Sequence, residues 1–576
     1  MSRALLMDLY ELTMAQVYFK QKRNVQATFD LFIRSPKRPF YVACGIDEVL
    51  RCLEDLRFMQ EDIEYLKSLA LFEDEFLGYL KNFRFQGDIV GVEEPEIVFA
   101  QEPVLRVTGN LIETQIVESV LLNTINCAVT LATKAARVCL AAQGRSVYDF
   151  SLRRTQGESA ALAAAKYSYI AGAKGTSNVY AGSLYNIPVV GTMAHSFVMS
   201  FDREILSFFA FASQFPAKSI LLVDTYDVRG GIDAAVRVAR RLKKQGFDLV
   251  GIRLDSGNVT EDAKYARKVL DKEGLIDALI FASGDLDEHK IAELISQRVP
   301  LDAFGVGTHM GCSSDLPFSD VIYKLVEIKE KESDFIPTMK LSEGKHTLPS
   351  RKQVFRAYTE SGIMSRDSIA LEKEKVAGKK LLKVLMRKGK RVSQEKSLEE
   401  KRKIFLQKLK SLPASLKGVR SEALFPVAIS KALNRLIDRL RDEQKKRTSS
   451  TILFLDIDTQ YDFITKSGAL YVKDSEGIIE NVKILTRYAR EHNIILLSSQ
   501  DTHRKDDPEF KEFGPHCVKG SHGHKKIPHS LLSHHILVSA KKVYSEEQLR
   551  QIVRRYPQII VEKSVLNIFS NPNTIK

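Results

Sequence analysis

Four apolar runs between residues 219 and 308 each end in residues able to handle charge. The first closes on Asp224, the second on Arg253 and Asp255, the third on Ser283, Gly284 and Asp285, and the fourth on Gly305, Gly307 and Thr308. Glycines at such a tip let backbone N–H groups approach an anion, and Thr308 adds a hydroxyl donor. Two neighbouring glycine-bearing tips suit a terminal phosphate. Arg253 and Asp255, two residues apart, project from one side of a strand; the pair is either part of a binding site or an internal salt bridge. Asp224 and Asp255 at one edge can hold sugar hydroxyls or Mg2+, which binds through a few carboxylates plus substrate phosphates. They can also stabilise a cationic sugar in a transition state. Upstream, Phe150 and Arg153 set an aromatic face beside guanidinium groups, an arrangement that suits a flat aromatic carboxylate. His195 follows an apolar run at 187–190 and by itself reads as either structural or catalytic.

Such tips need elements to carry them. The runs at 219–224, 249–255, 279–285 and 303–308 read as strands, with amphipathic helices at 231–245, 260–273 and 288–296. Repeated strand-then-helix units predict an α/β fold with a parallel sheet or barrel, whose ligands bind at the C-terminal ends of the strands. A helix cap explains one polar tip; four in succession favour a shared site. Residues 88–92 and 97–100 read as strands, and 110–142 as a long helix. The expected division is an N-terminal α+β domain at 1–110, an α/β barrel at 111–372 and a basic helical part at 373–447. A short linker at 447–450 and a second α/β domain at 450–576, opening on a strand at 451–456, complete it.

Of the 576 residues 44% are hydrophobic, enough for ample cores, and the net charge is +14. Between 373 and 447 lie 24 Lys and Arg against 8 Asp and Glu, so one segment carries more than the whole net charge. That segment reads as a solvated helical face. It lacks the interleaved aromatics or groove-reading module of specific nucleic-acid binding, and no nucleic-acid partner is expected. Six cysteines without a CxxC pair fit a reducing cytoplasm. Asp8 and Glu11 interrupt the first apolar run where a signal peptide needs continuity. No stretch reaches about 18 consecutive apolar residues, so no membrane partner is expected.

The ordered series Asp8-Leu9-Tyr10-Glu11-Leu12-Thr13-Met14, Arg153-Arg154-Thr155-Gln156-Gly157, Gly175-Thr176-Ser177-Asn178-Val179, Gly191-Thr192-Met193-Ala194-His195-Ser196, Arg253-Leu254-Asp255-Ser256-Gly257 and Phe304-Gly305-Val306-Gly307-Thr308 resembles the nicotinate phosphoribosyltransferase family. Tyr323-Lys324-Leu325-Val326 and Lys340-Leu341-Ser342 extend the resemblance, which covers about residues 1–445. It implies the irregular α/β barrel of type II phosphoribosyltransferases with an added N-terminal domain. It also implies synthesis of nicotinate mononucleotide and pyrophosphate from nicotinate and phosphoribosyl pyrophosphate, with Mg2+ and coupled ATP hydrolysis, in NAD salvage. By the same resemblance Phe150 would stack on the pyridine ring, and Arg153, Thr192 and Arg253 would contact nicotinate or the ribose. Gly284, Gly307 and Thr308 would hold phosphoribosyl pyrophosphate, and ATP would phosphorylate His195. Tyr10 would reach the nicotinate of a partner subunit, which implies a homodimer with shared sites. Related nicotinamide phosphoribosyltransferases carry Asp at the position of Ser177; a serine donates to a carboxylate and so favours nicotinate. The alternative for Ser177 is a helix cap.

A second constellation follows: Asp458 after a strand, Asp501-Thr502-His503 ending another at 494–499, then His516-Cys517. One carboxylate and two imidazoles can make an open divalent-metal site. The series resembles the isochorismatase-like hydrolases, nicotinamidases in particular. That implies Asp458 as catalytic carboxylate, Lys563 as catalytic lysine, and Asp501, His503 and His516 as metal ligands. The family's nucleophilic cysteine lies on a later strand, and Cys517, beside a metal ligand, does not match it. The expectation is therefore a truncated remnant without amidase activity. The alternatives are a bifunctional salvage enzyme completed by further chain, and a non-catalytic sensor that keeps the pyridine site.

Overall fold

The computed structural model describes residues 4–330, 334–340, 347–392, 394–449 and 452–574. The chain forms two compact units, Met1–Leu440 and Arg441–Lys576. In the first, β1 (Ser146–Asp149), β2 (Gly175–Thr176), β3 (Ile220–Leu222), β4 (Gly251–Leu254), β5 (Leu279–Ala282) and β6 (Ala303–Val306) make a parallel sheet ordered β2-β1-β6-β5-β4-β3. The predicted strand–helix alternation holds, with helices Val228–Lys244, Val259–Lys272 and Glu288–Ser296 between the strands. Asp227, Asn258 and Asp287 cap these helices with side-chain oxygens, each accepting from a backbone N–H three residues on. Beyond β2 the hydrogen bonding runs on to the segment at 188–190.

The run at 187–190, expected to be a strand, contributes a single bridge, Val189 to Thr176. Pro188 lies inside it and has no N–H for a ladder, although its carbonyl accepts from Thr176 N at 3.0 Å. The long helix expected at 110–142 is divided at Val117 into Leu111–Ile116 and Glu118–Ala141. Together these are long and apolar enough to cross a membrane, but two thirds of the apolar window is buried inside the protein. Val120, Leu121 and Ile125 pack in one core and Ala132, Ala135 and Val138 in another, so the helix joins the two larger cores of the unit.

The core around residues 26–129 is covered by an antiparallel sheet of seven strands. Its order is Ile336–Pro337, Val321–Lys329, Gln26–Ile33, Pro103–Asn110, Asp88–Gly91, Lys383–Arg387 and Lys390–Arg391. Residues from 321–337 and 383–391 thus complete a sheet that the sequence placed within 1–110. The basic segment is not helical throughout. Lys383–Arg387 and Lys390–Arg391 form a hairpin turned at Gly389, whose φ is +71°. Leu385 and Met386 are buried and Lys383 and Arg387 exposed, with a register shift at Val384–Met386, and the lysine-rich composition conceals the strand. Helix Lys431–Ser449 runs through Arg447-Thr448-Ser449, which reads as linker in the sequence; Ser450 lies outside the described residues, as do Thr451, Leu341 and Ser342.

In the second unit β7 (Leu453–Asp456), β8 (Ile495–Asp501), β9 (His535–Val538) and β10 (Gln558–Lys563) form a parallel sheet ordered β7-β8-β10-β9. Helix Ile479–Glu491 connects β7 to β8, and helix Glu546–Arg555 connects β9 to β10.

Candidate active site

In the first unit the polar residues gather past the strand ends. Phe150 follows β1 and its N–H donates to Val306 O at 2.9 Å. Its ring stacks on Phe281 at 5.7 Å and 12°. A Cβ on Gly305 would lie 2.5 Å from that ring, so Gly305 makes room for Phe150. Arg153 is exposed just beyond. Arg253, on β4, donates from Nη1 to Thr192 Oγ1 at 2.7 Å, while its Nη2 is 3.6 Å from Asp255 Oδ1. Its Nε is buried without a partner. Burial holds its pKa below the usual arginine value against the attraction of Asp255 and Asp224, and the charge of Arg153 adds to the lowering. Two neighbouring guanidiniums, one with an unsatisfied donor beside its ion pair to Asp255, can bind an anion.

Ser177 N–H donates to Asp149 O at 2.8 Å. The helix that follows, Val179–Tyr185, is capped by Asn178, whose Oδ1 accepts from Ala181 N; Ser177 is not the cap. His195 Nδ1 lies 3.1 Å from Thr225 Oγ1, and its Nε2 is 3.8 Å from Asp255 Oδ2. Asp224 Oδ2 accepts from Asp255 N, Ser256 N and Ser256 Oγ at 2.7–2.8 Å, while its Oδ1 is buried and unpartnered. An orphaned carboxylate oxygen beside Asp255 fits a sugar hydroxyl or a divalent cation. Close by, Glu204 has a buried unpartnered oxygen, and burial, with Asp227 and Asp224 adding, raises its carboxyl to about 7.

Gly284 has φ +86°, and a Cβ there would sit 1.8 Å from Asp255 O. Gly307 and the exposed Thr308 follow β6. His309 Nε2 meets Asp285 Oδ1 at 2.7 Å and so ties the Gly284 tip to the Gly307–Thr308 tip. Thr225 and His309 escaped the sequence reading, although each adjoins a residue that it named, and Ser256 stood in a quoted motif without a role. Tyr10 stands apart. It lies on helix Leu9–Lys20 beside Glu118, in a cleft of about 600 Å3 shared with Ser119, Asn126 and Phe318. Burial and the carboxylates of Glu118, Glu11 and Asp8 raise its phenol to about 12.

In the second unit the named residues converge. Asp501 and Lys563 are register partners at the ends of β8 and β10. Lys563 Nζ is 3.0 Å from Asp458 Oδ2 and 3.6 Å from Asp501 Oδ1. His503 Nε2 is 2.9 Å and His516 Nε2 3.5 Å from Asp501 Oδ2. Ligand atoms of Asp501, His503 and His516 all lie within 4.8 Å of one another. Asp507 faces His503 Nδ1 at 3.1 Å. Burial disfavours the imidazolium, but the carboxylates of Asp501 and Asp507 outweigh it and raise the His503 pKa. Cys517 is fully buried, and desolvation pushes its thiol well above the usual range, with Asp501, Asp462 and Asp458 adding.

Comparison with known proteins places the first unit. The nicotinate phosphoribosyltransferase (NAPRTase) N-terminal domain matches residues 5–126, the nicotinate phosphoribosyltransferase family 146–341, and the nicotinate phosphoribosyltransferase C-terminal domain 375–437. A nicotinate phosphoribosyltransferase of Mycobacterium tuberculosis is 42% identical over 442 residues, 76% of this chain and 94% of the relative. That of Bacillus subtilis is 38% identical over 66% of this chain and 78% of the relative. The crystal structure of human nicotinic acid phosphoribosyltransferase superposes with a TM-score of 0.67 at 28% identity, over 76% of this chain and all of the human one. These matches follow the chain from the antiparallel sheet through the strand tips to the basic segment, and the chain belongs to the nicotinate phosphoribosyltransferase family, enzymes of NAD salvage.

Proposed function

We propose that nicotinate binds between Phe150, Arg153 and Ser177, and that phosphoribosyl pyrophosphate binds across Gly284, Gly307 and Thr308. The observation that carries this reading is the set of unsatisfied groups at one sheet edge: Arg253 Nε and Asp224 Oδ1, flanked by the exposed Arg153. The pyridine nitrogen attacks the anomeric carbon as the bond to pyrophosphate breaks, giving nicotinate mononucleotide and pyrophosphate. Arg153 supplies the counter-charge to the carboxylate, with Arg253 held by Thr192 beside it. Asp224 and Asp255 stabilise the cationic sugar and would hold Mg2+, which neutralises the leaving group. Positioning and charge stabilisation suffice, and no side chain needs to attack carbon.

His195 is the group that ATP phosphorylates in this proposal. Thr225 at Nδ1 orients the ring and leaves Nε2 directed toward the Asp255 edge. His195→Ala is expected to abolish an acid-labile phosphoprotein and to uncouple ATP hydrolysis from synthesis. Labelling with γ-32P-ATP during turnover checks it; undiminished labelling of the variant would assign the role to another residue. Tyr10, whose contacts place it beside Glu118, serves the site of a second copy in a homodimer. The setting proposed is the cytoplasm.

For residues 450–576 we propose a nicotinamidase-like unit that binds a divalent cation weakly through Asp501, His503 and His516, with the Asp507 carboxylate 3.1 Å from His503 Nδ1. The donor set and its spacing fit the ion. Amide hydrolysis through the thiolate of Cys517 is not expected, because that cysteine is buried with a raised pKa. Titration with Mn2+ or Zn2+ should show binding that His503→Ala and His516→Ala remove, with no ammonia released from nicotinamide. Release that disappears in Asp458→Asn and Lys563→Ala would overturn the second half.

A further inference from the structure

The proposed nicotinate site is assembled from two separate pieces of chain. Phe150 and Arg153 follow β1, and Ser177 follows β2. Asp149 sits between them, the last residue of β1 and the register partner of Thr176 at the end of β2. Its side chain is almost completely buried, yet no cation lies within ion-pair distance of it among the described residues. All of its hydrogen bonds come from neutral donors. Ser151 N–H and Ser151 Oγ–H donate to Oδ1 at 3.0 and 2.5 Å, and Thr176 Oγ–H donates to Oδ2 at 2.7 Å. Thr176 Oγ1 in turn accepts from Asn178 N at 3.0 Å, and Asp149 O accepts from Ser177 N at 2.8 Å.

A buried carboxylate without a counter-ion costs stability, and an apolar pair at these positions would pack without that cost. Its use is geometric. One oxygen fixes the turn that carries Phe150 and Arg153. The other fixes the turn that carries Ser177 and the capped helix behind it. We propose that Asp149 is a positioning residue for the pyridine substrate, locking the stacking and charge-pairing loop to the specificity residue Ser177 at one spacing. This rests on the placement of nicotinate between Phe150, Arg153 and Ser177. The phosphoribosyl side is carried by Gly284 past β5 and Gly307–Thr308 past β6; Asp149 meets β6 through the backbone register with Val306, which its side chain does not make, so the effect of losing that side chain falls chiefly on the pyridine substrate.

The test is steady-state kinetics on the full chain with Asp149→Ala, Asp149→Asn, Thr176→Val and, as reference, Arg153→Ala. A misplacement of about 1 Å is enough for large losses. Asp149→Ala should raise the nicotinate KM about tenfold or more while the phosphoribosyl pyrophosphate KM stays within about twofold. Asp149→Asn keeps the acceptor for Ser151 and should lie between wild type and Asp149→Ala. Thr176→Val removes one hydroxyl and should shift the nicotinate KM in the same direction, which keeps the test available if Asp149→Ala fails to fold. Equal changes in both KM values, or a fall in kcat alone with the nicotinate KM unchanged in Asp149→Asn and Thr176→Val, would overturn the positioning role. An unchanged nicotinate KM in Arg153→Ala would instead overturn the placement of the pyridine site.

Discussion

Gly284→Ala is expected to lower kcat/KM for phosphoribosyl pyrophosphate about 100-fold or more, the scale of a roughly 1 Å misplacement of reacting groups. Two independent features require glycine. At φ +86° an L side chain is strained, by roughly 1–2 kcal/mol. A Cβ would also lie 1.8 Å from the carbonyl oxygen of Asp255. That oxygen is backbone, so no rotamer change relieves the contact and the strand tip itself must move. The β4 tip carries Asp255 and adjoins Asp224 through three hydrogen bonds, so displacement reaches both carboxylates. Steady-state kinetics with each substrate varied in turn checks this, together with a melting curve to show that the variant folds. Activity within about threefold of wild type would remove Gly284 from the phosphate cradle.

Ser177→Asp is expected to shift the ratio of kcat/KM for nicotinate over nicotinamide on the order of a few hundred-fold toward nicotinamide. The serine hydroxyl can donate to the carboxylate of nicotinate. An aspartate there sets like charges face to face in a partly desolvated site, and the same aspartate accepts from the N–H of a carboxamide. Arg153 still favours nicotinate, so the shift is one of preference and not a full inversion of charge at the site. The backbone supports the substitution: Ser177 N–H bonds to Asp149 O whatever the side chain, and Asn178 keeps the cap. An unchanged ratio would show that Ser177 does not face the pyridine substituent.

The strand tips were legible because their chemistry conflicts with their burial. Asp224, Arg253 and Asp255 end apolar runs, and a parallel strand gives such residues no structural purpose. The helices between them were legible from their apolar spacing; the caps at Asp227, Asn258 and Asp287 set their starts, the first of them three residues ahead of 231. Sequence reasoning failed where long-range pairing decides. Lys383–Arg387 becomes a strand because Asp88–Gly91 offers it an edge, which local lysine content does not reveal. Gly305, read with Gly307 as a phosphate glycine, is also the floor for the Phe150 ring, a contact across more than 150 residues of chain that the sequence does not reveal. Asp149 escaped notice because Ser146–Asp149 is too short and mixed a run to read as a strand, and its role shows only in its three neutral donors.

The most direct measurement is the product formed by the purified chain from phosphoribosyl pyrophosphate and Mg2+ with each pyridine in turn. With nicotinate, stoichiometric nicotinate mononucleotide and pyrophosphate are expected, stimulated by ATP. Equal or better turnover with nicotinamide or quinolinate would contradict the assignment of the site.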